Sequence, residues 1–335
     1  MIQWVIENVR PNRRHRFIFI CLAEHLRQYP TVAVTLANLC PGCEIVVVDG
    51  VTKGAACTVL LAREYINNSD PLMIVNSDQF VEINIDAYLD EMDRSQADGQ
   101  IMTFWSDHPK WSYCKMKDDS TVAEVVEKKV VSNEATVGIY NYRLGSDFVR
   151  AADMMIKMGL MVNNEFYVAP AYNQLIANGH KIITVGTGRE YNGMFGLGVP
   201  DDLAFFRSTK QYAVGWIGGE DRIPSGAGKL QLLTELYARF FNQRNIAALS
   251  ALLAEDCILC DIGNDLIQGG NNILNFVNTI HDKNPDLDFN PKTIIASDSH
   301  SVIEFALRLS GHVLNGLDLI EWRDGKIVQI RVYTR

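Results

Sequence analysis

Short apolar runs and helical patterns alternate along the first 208 residues, and this alternation limits the folds open to the chain. The apolar runs carry β-branched or aromatic residues, which favour strands, and they fall at 17–21, 44–49, 72–75 and 100–104. Helical periodicity lies between them at 24–29, 58–66 and 87–94. Strands that alternate with helices form βαβ units. The pattern therefore predicts an α/β domain with a mostly parallel, doubly wound sheet over residues 1–208.

The pattern changes after residue 208. A glycine-rich stretch follows at 209–228 and predicts a linker. Helical patterns then precede strand patterns, with helices at 230–242, 247–253 and 273–280 and strands at 293–297, 301–310, 312–322 and 326–333. The dipeptide Asp324-Gly325 between the last two strands is a strong hairpin signal. Residues 229–335 are therefore predicted to form a smaller α+β domain.

The stretch from Val51 to Phe80 combines two features that fit a nucleotide site. Gly54, Ala55 and Ala56 open a helical pattern, and small residues there let a base or a phosphate approach backbone N–H groups. Asp78 follows a strand, and ligands of open α/β sheets bind beyond the carboxyl ends of strands. Its carboxylate could hold a divalent metal. The alternative interpretation is a tightly packed helix start and an ordinary turn residue.

The charge and the apolar pattern exclude some classes of function. A net charge of −9 argues against a general nucleic-acid binder, whose surface would be basic. No apolar run approaches the ~18 residues that a membrane-spanning helix needs. The N-terminus also lacks the apolar core of a signal peptide. We therefore expect a cytoplasmic protein with no nucleic-acid or membrane partner.

Several phrases within residues 1–208 resemble the sugar-phosphate nucleotidyltransferase family, which has a GT-A-like fold, and in particular its capsular-polysaccharide-precursor branch. The phrases in register are IQWVIENVRP, HRFIFIC, EIVVVDGVTKGAACTVLLA, LMIVNSDQF, HPKWSYCK, VAEVVEKK, ATVGIYNY, NNEFYVAPAYN and GLGVPDDL. Residues 229–335 resemble the NTF2-like (SnoaL-like) α+β cone through their helix–strand order and the opening YARFFNQRNIAAL.

The resemblance implies a reaction between a nucleoside triphosphate and a phosphorylated small molecule, usually a sugar phosphate. The acceptor phosphate would attack the α-phosphorus in line, with Mg²⁺ neutralising the developing charge, and pyrophosphate would leave. Carried over by position, Gly54, Ala55 and Ala56 would contact the base. Asp78 would hold the Mg²⁺ and the nucleotide, which makes it a catalytic residue.

The same resemblance places the acceptor against two further segments. Glu127 and Lys128 would meet the acceptor, with the lysine as a point charge for its phosphate and a second catalytic residue. Asn164 and Glu165 would bond to acceptor hydroxyls or amides. The alternatives are a solvated hairpin tip at 127–129 and a helix N-terminal cap at 164–165.

The sequence departs from the family pattern in two places. A glycine-rich loop with an arginine, which in the family precedes the position of Met1 and cradles the triphosphate, has no counterpart here. Such a loop supplies much of the electrostatic stabilisation, so we expect an N-terminally incomplete domain of doubtful catalytic competence, with unpaired edges on the neighbouring strands. The usual second metal-binding Asp is also missing, since Asp201 and Asp202 come only after Pro200.

Three functions therefore remain open at this stage. The first is a nucleotidyltransferase represented by a shortened sequence. The second is a non-catalytic paralogue that binds nucleotide or forms oligomers. The third is a nucleotide-sugar glycosyltransferase, which ranks last because the run from Asn76 to Gln79 is not the Asp-x-Asp motif of that class.

The C-terminal domain has two candidate roles. NTF2-like cones form oligomers through their sheets, and we expect a homo-oligomer here. A catalytic cone needs an acid or a His partnered in its cavity. Asp261, Glu304 and His312 are the candidates, and their spacing does not make them a set.

Overall fold

The computed structural model describes residues 1–209, 227–261 and 266–334. Within it the chain divides into two compact units, Met1–Met194 and Phe195–Arg335. Most of the predicted linker, at 209–228, lies outside the described residues, so the domain boundaries at 208 and 229 remain predictions. In the part of the chain that is described, no helix is long and apolar enough to cross a membrane.

The N-terminal unit alternates helices and strands as the sequence predicts. Its helices are α1 (Ile2–Val9), α2 (Ala23–Gln28), α3 (Thr31–Leu39), α4 (Ala55–Leu60), α5 (Arg63–Ile66), α6 (Ile85–Arg94), α7 (Gly145–Lys157) and α8 (Tyr172–Ala177). Its strands are β1 (Ile18–Leu22), β2 (Glu44–Val48), β3 (Leu72–Val75), β4 (Gln79–Val81), β5 (Gly99–Trp105), β6 (Tyr113–Met116), β7 (Val122–Val126), β8 (Glu134–Tyr142), β9 (Ile182–Glu190) and β10 (Gly193–Gly196).

Eight of these strands form a mixed sheet around β8. The strand order is β4-β10-β9-β5-β8-β6-β7, and β3 also pairs with β8. The β5–β9 and β9–β10 pairs are parallel, whereas β8 runs antiparallel to β3 and to β5. It follows that β3, β5 and β9 point the same way, and their carboxyl ends lie at one edge of the sheet. Asp78 follows β3 at that edge.

The first two strands stand apart from this sheet. β1 pairs with β2 in parallel register, from Ile18 opposite Glu44 to Leu22 opposite Val48, and they form a separate two-stranded sheet. Among the described strands β1 therefore has one neighbour, and β3 pairs only with β8.

An aromatic stack fixes α7 and α8 against the sheet. Tyr142 of β8 and Tyr172 of α8 are both fully buried, with parallel rings 4.4 Å apart, and Phe148 of α7 packs edge-on against Tyr142. The Tyr172 hydroxyl donates a hydrogen bond to the Asn141 carbonyl at 2.7 Å. Since buried polar groups need partners, this bond lets a tyrosine occupy the core. The stack holds the chain that leads from Asn164 into α8.

The C-terminal unit places helices before a long antiparallel sheet. Its helices are α9 (Pro200–Arg207), α10 (Ala227–Asn242), α11 (Ile246–Leu252) and α12 (Gly270–Lys283), and its strands are β11 (Leu253–Asp261), β12 (Ile267–Gln268), β13 (Asp288–Ala296), β14 (His300–Leu309), β15 (His312–Arg323) and β16 (Lys326–Thr334). The strand order is β12-β11-β16-β15-β14-β13. The predicted hairpin is present, with positive φ at both Asp324 and Gly325. An α/β unit followed by a smaller α+β unit confirms the predicted fold class, whereas the N-terminal sheet is mixed rather than mostly parallel, because β8 and β6 run antiparallel to their neighbours.

Hydrogen bonds identify the face of this second sheet that α10 covers. Thr234 of α10 donates to the Ser301 hydroxyl of β14 at 2.8 Å, and the Trp322 indole of β15 donates to the same oxygen. Ser301, Ile303 and Phe305 are all buried, so alternate residues of β14 line the core. The opposite face carries half-exposed side chains.

Candidate functional site

The predicted base-binding segment packs directly against the predicted acceptor segment. Gly54 precedes α4, and the Ala56 N–H donates to the Phe166 carbonyl at 3.0 Å. In return the Phe166 N–H donates to the Lys53 carbonyl at 2.8 Å. The structure thus brings residues 54–56 next to Glu165, although 110 residues of sequence lie between them.

Close packing explains why residue 54 is a glycine. A Cβ at this position would lie 2.6 Å from both the nitrogen and the oxygen of Phe166, and φ is +114°. With ψ at 169° the residue occupies a region of backbone space that is essentially restricted to glycine. Ala56 is fully buried and its N–H is already bonded, so only Gly54 and the exposed Ala55 remain accessible to a base.

Asn164 and Glu165 belong to a tight turn. Asn163 and Asn164 have φ of +49° and +63°, and Val162 and Glu165 pair across them. Asn tolerates this left-handed conformation better than most residues. The alternative that this segment caps a helix is wrong, because the next helical turn begins only at Ala169.

Glu127 and Lys128 follow β7 and differ sharply in environment. Glu127 is 9% exposed and accepts a hydrogen bond from the Ser112 hydroxyl. Burial raises the pKa of Glu127, and the bond from Ser112 and the charge of Lys128 oppose that rise. Glu127 is therefore not part of a solvated hairpin tip, which removes that alternative for the glutamate.

Lys128 is exposed but held in place by Tyr167. Its Nζ donates to the Tyr167 hydroxyl at 2.8 Å and lies 5.0 Å from the centre of that ring. The hydrogen bond from Lys128 to Tyr167 is the main cause that raises the pKa of Lys128, and the charges of Glu127 and Glu165 add to it. Lys128 is thus a cation held in a defined position beside two acids. The cation is suited to a phosphate, and the acids are suited to hydroxyls that flank the phosphate.

Asp78 lies in the turn between β3 and β4, beside Gly138 of β8. The backbone N–H of Asn76 donates to the Gly138 carbonyl at 3.0 Å. Gly138 has φ of +100°, and a Cβ there would collide with the side-chain amides of Asn76 and Gln79. Gln79 is 8% exposed, and its Oε1 has no hydrogen-bond partner among the described residues. The buried Gln79 oxygen therefore lies beside Gly138, and Gln79 follows Asp78 directly in the chain.

The Asp78 turn and the Glu127 cluster are both attached to one stretch of β8. Thr136 donates its N–H to the carbonyl of Ser112, whose hydroxyl bonds to Glu127. Gly138, two residues further along β8, contacts the Asp78 turn. The Asp78 turn and the Glu127 cluster thus form two groups, and each of them contacts β8.

Sequence reasoning missed three residues of this site. Ser112, Tyr167 and Gln79 each contact or adjoin a predicted residue, and each stands in or next to a phrase that carries the family resemblance. Their adjacency in sequence was the available signal for Tyr167 and Gln79. Ser112 is 15 residues from Glu127, and only the β6–β7 pairing brings the two together.

The donor set for a metal is small. The described residues contain no cluster of three His, Cys, Asp or Glu that could hold a metal ion. Asp201 accepts an ion-pair hydrogen bond from Arg239 at 2.7 Å within the C-terminal unit. Mg²⁺ commonly keeps several waters and binds through one or two carboxylates plus substrate phosphates. The metal-binding role of Asp78 therefore stays a prediction, with one carboxylate as the protein ligand.

The C-terminal candidates do not form a site together. Glu304 pairs with Leu317 on the half-exposed face of the sheet, and His312 is exposed near the β14–β15 turn. Asp261 alone shares the face on which Cys257 and Leu259 are buried. The sequence reasoning missed Asp318, which is 4% exposed on that face. Its signal was alternation, because Ile320 and Trp322 of the same strand are also buried.

Comparisons with known proteins agree with this two-part organisation. Residues 1–155 match the family model described as nucleotidyl transferase, and residues 233–330 match the model described as SnoaL-like domain. The two matches cover separate parts of the chain, one within each of the two compact units. No curated protein matches the chain.

Solved structures are also similar to parts of the chain. A nucleoside-diphosphate-sugar pyrophosphorylase from Vibrio cholerae RC9 is 23% identical, with a TM-score of 0.50, over 58% of this chain and 81% of its own. A putative glucose-1-phosphate thymidylyltransferase from Bacillus anthracis is 15% identical, with a TM-score of 0.46, over 61% and 78%. A putative ketosteroid isomerase from Kribbella flavida is 21% identical, with a TM-score of 0.31, over 32% and 79%. The first of these likenesses is a likeness of fold over 58% of the chain.

Proposed function

We propose that the N-terminal unit transfers a nucleotidyl group from a nucleoside triphosphate to a phosphorylated small molecule, with a sugar phosphate as the first candidate. An acceptor phosphate oxygen bonds to the α-phosphorus, the bond from that phosphorus to the α–β bridging oxygen breaks, and pyrophosphate leaves with the electron pair. The observation that carries the proposal is the Lys128 cation, held by Tyr167 beside Glu127 and Glu165.

Each group has a role in this reaction. Gly54 and Ala55 offer the base a flat surface, and Ala56 supports it by its bond to Phe166. Lys128 binds the acceptor phosphate. Glu127, Asn164 and Glu165 bond to the remaining acceptor groups. Asp78 would hold Mg²⁺, which when bound neutralises negative charge on the phosphates.

Nucleotide binding and pyrophosphate release test this function. We expect the intact chain with Mg²⁺ to be stabilised by one of CTP, UTP, dTTP, ATP and GTP, by about 2.7 kcal/mol at a hundredfold over Kd. Asp78→Asn should abolish the melting shift, whereas Asp118→Asn, which alters an exposed loop acid, should retain it. Release of pyrophosphate on addition of sugar phosphates then measures the reaction.

A matched lysine pair separates acceptor binding from nucleotide binding in the same assay. Lys128→Met removes a charge-assisted bond of about 1.5–3 kcal/mol, so the KM for the acceptor should rise about 10- to 100-fold. Lys129→Met, which alters the exposed neighbour, should leave that KM within about twofold. An equal effect of both variants, or the absence of any nucleotide shift in a folded sample, contradicts the proposal.

The alternatives give different results in this assay. A non-catalytic paralogue without the glycine-rich loop shows the melting shift without pyrophosphate release. A nucleotide-sugar glycosyltransferase is stabilised by a nucleotide sugar and releases a nucleoside diphosphate. The resemblance to the capsular-precursor branch supports a cytoplasmic role in capsule or cell-surface polysaccharide precursor synthesis.

Homo-oligomer formation through the C-terminal domain forms part of the proposal. The sheet face opposite α10 carries Ile295, Leu317 and Tyr333, which are 65%, 38% and 41% exposed. Apolar patches of this kind mark interaction sites. Sedimentation velocity of the intact chain should give a mass above that of one chain, and Leu317→Glu should reduce it. Val34→Glu, at an exposed position of α3, should not change the mass, and a monomeric wild-type chain rejects this part of the proposal.

A further inference from the structure

Two cysteines stand at the ends of the turn that joins α3 to β2. Cys40 caps the C-terminus of α3 and Cys43 precedes β2, with Pro41 and Gly42 between them. The Cys43 N–H donates to the Cys40 carbonyl at 3.0 Å, and Gly42 has φ of +79°. Proline followed by a residue of positive φ is typical of a type II turn, whose end Cα atoms lie less than about 7 Å apart. A disulfide spans Cα distances of about 4.4–6.8 Å, so the backbone brings the two cysteines within its range.

Contacts with the last turn of α3 place both cysteines on one side of this connection. The Cys40 N–H donates to the Leu36 carbonyl at 2.8 Å, and the Cys43 thiol donates to the same oxygen at 3.9 Å. Cys40 is buried together with Leu36 and Ile6, and Cys43 packs against the same apolar cluster. The two thiols therefore share one small region of the N-terminal unit.

The two thiols differ in access and in charge. Cys43 is half-buried, and a Cβ on the neighbouring Gly42 would meet nothing within 4 Å, so the turn is open to solvent. Cys40 is 3% exposed, and the Arg10 guanidinium donates to its Sγ at 3.7 Å. Burial raises the pKa of Cys40, and the hydrogen bond and the charge of Arg10 oppose that rise. Cys43 is thus the thiol that a reagent can reach, and Cys40 is a buried sulfur beside a cation that favours its thiolate.

A third cysteine in the same apolar cluster lies too far away to compete. Cys21 of β1 pairs with Val47 of β2, which lies four residues after Cys43 in the sequence. At about 3.3 Å per residue this separates Cys21 from Cys43 by roughly 13 Å along the strands, and a disulfide cannot bridge Cα atoms more than about 7 Å apart. The described residues also form no cluster of three metal ligands. The turn is therefore suited to a disulfide between its own two cysteines.

We propose that Cys40 and Cys43 form a reversible modification site, which a small disulfide such as glutathione disulfide oxidises to an intramolecular disulfide bond. The Cys43 thiolate attacks one sulfur of the small disulfide, whose S–S bond breaks and releases a thiolate with the electron pair. The Cys40 thiol then gives its proton to solvent and its sulfur attacks the Cys43 sulfur, so that the second small thiolate leaves. The two cysteines lose two electrons, and the small disulfide becomes two thiols that take up two protons. The chemistry of this site does not require nucleotidyl transfer.

Thiol trapping tests the site, because trypsin should release both cysteines on one peptide, 28–53, which contains no other cysteine. The intact chain is equilibrated with glutathione and glutathione disulfide at several ratios, alkylated with N-ethylmaleimide under denaturing conditions, digested and weighed. We expect this peptide to lose both alkyl groups and two hydrogens as the proportion of glutathione disulfide rises, and dithiothreitol to reverse the change. Half-oxidation should need about a tenfold lower proportion of glutathione disulfide than in the urea-unfolded chain, because the fold holds the two thiols together.

Three variants separate the roles of the cysteines. Cys40→Ala should stop the reaction at the mixed disulfide, so that Cys43 keeps a glutathione adduct. Cys43→Ala should leave Cys40 reduced, since its thiol is buried. Cys21→Ala is the matched control from the same apolar cluster, and it should leave the midpoint of oxidation unchanged.

Three results would overturn the proposal. These are a peptide 28–53 that stays alkylated at both cysteines at the highest proportion of glutathione disulfide, a disulfide from either cysteine to another peptide, and equal midpoints in the folded and the unfolded chain. If Cys40→Ala does not fold, a glutathione adduct on Cys40 in the Cys43→Ala chain rejects the assigned roles.

Discussion

Gly54→Ala should destabilise the N-terminal unit by about 2–6 kcal/mol, because two costs add at this position. An added Cβ lies 2.6 Å from the nitrogen and the oxygen of Phe166, and overpacking of this kind costs about 1–3 kcal/mol. The backbone at φ +114° and ψ 169° is a glycine conformation, which costs another residue about 1–3 kcal/mol. The melting temperature of the unit should fall by roughly 4–24 °C.

The same variant should also weaken the contact between the predicted base-binding segment at 54–56 and Phe166. The Ala56 and Phe166 amides bond across this contact, so their hydrogen exchange should accelerate in Gly54→Ala. Gly50→Ala is the matched control, since a Cβ there meets nothing within 4 Å, and we expect a change below about 0.5 kcal/mol. Equal melting shifts in the two variants, or unchanged exchange at Phe166, would refute the close packing of residue 54.

The order of strands and helices could be predicted from sequence because periodicity and β-branched content report it directly. The strand at 72–75 was predicted with its observed bounds. Residues 58–66 were predicted as one helix, whereas the chain forms two short helices, Ala55–Leu60 and Arg63–Ile66. Helix α3, with the sequence TVAVTLANL, was not predicted, because β-branched residues have low helix propensity and its helical form depends on packing.

The candidate site was predictable only as separate segments. Each segment carries a local signal, such as the small residues at 54–56 or the acid after β3. Their contacts depend on pairing between distant parts of the chain, such as Phe166 with Lys53 and Ala56, and local patterns do not encode such pairing. The two-residue turn at Asn163 and Asn164 shows the same limit, because an Asn pair fits both a turn and a helix cap.

Asp318 is a residue whose chemistry depends on burial that the local sequence does not predict. In the sequence it alternates with apolar residues, and an acid in such a position is usually assigned to the solvent face. The register places it in the row of Ile303, under α10. Its chemistry therefore depends on the sheet that surrounds it, which is why the three acid and His candidates taken from sequence did not include it.

Compared with the wild type, Asp318→Asn should be no more stable at low pH and more stable at high pH. Burial raises the pKa of Asp318 from 3.8 to about 7 in the folded chain. The folded state therefore holds a proton that the unfolded state releases between about pH 4 and pH 7. The contribution of Asp318 to the free energy of unfolding of the wild type is fully present below about pH 4. It falls as pH rises and is lost above about pH 7. A shift of about three units corresponds to about 4 kcal/mol.

The Asn side chain has no carboxyl to ionise, so the free energy of unfolding of the variant does not fall with pH through residue 318. Near pH 4 the variant should be no more stable than the wild type, because a neutral amide replaces a neutral acid of similar shape. Above pH 7 it should be the more stable chain, with a total change of about 4 kcal/mol in the difference between them. Urea unfolding of both chains from pH 4 to pH 8.5 measures this difference. Asp256→Asn, at an exposed position, should show no comparable trend. A difference between Asp318→Asn and wild type that stays constant with pH would mean that the pKa of Asp318 is not raised, and that the acid is not buried as the structure has it.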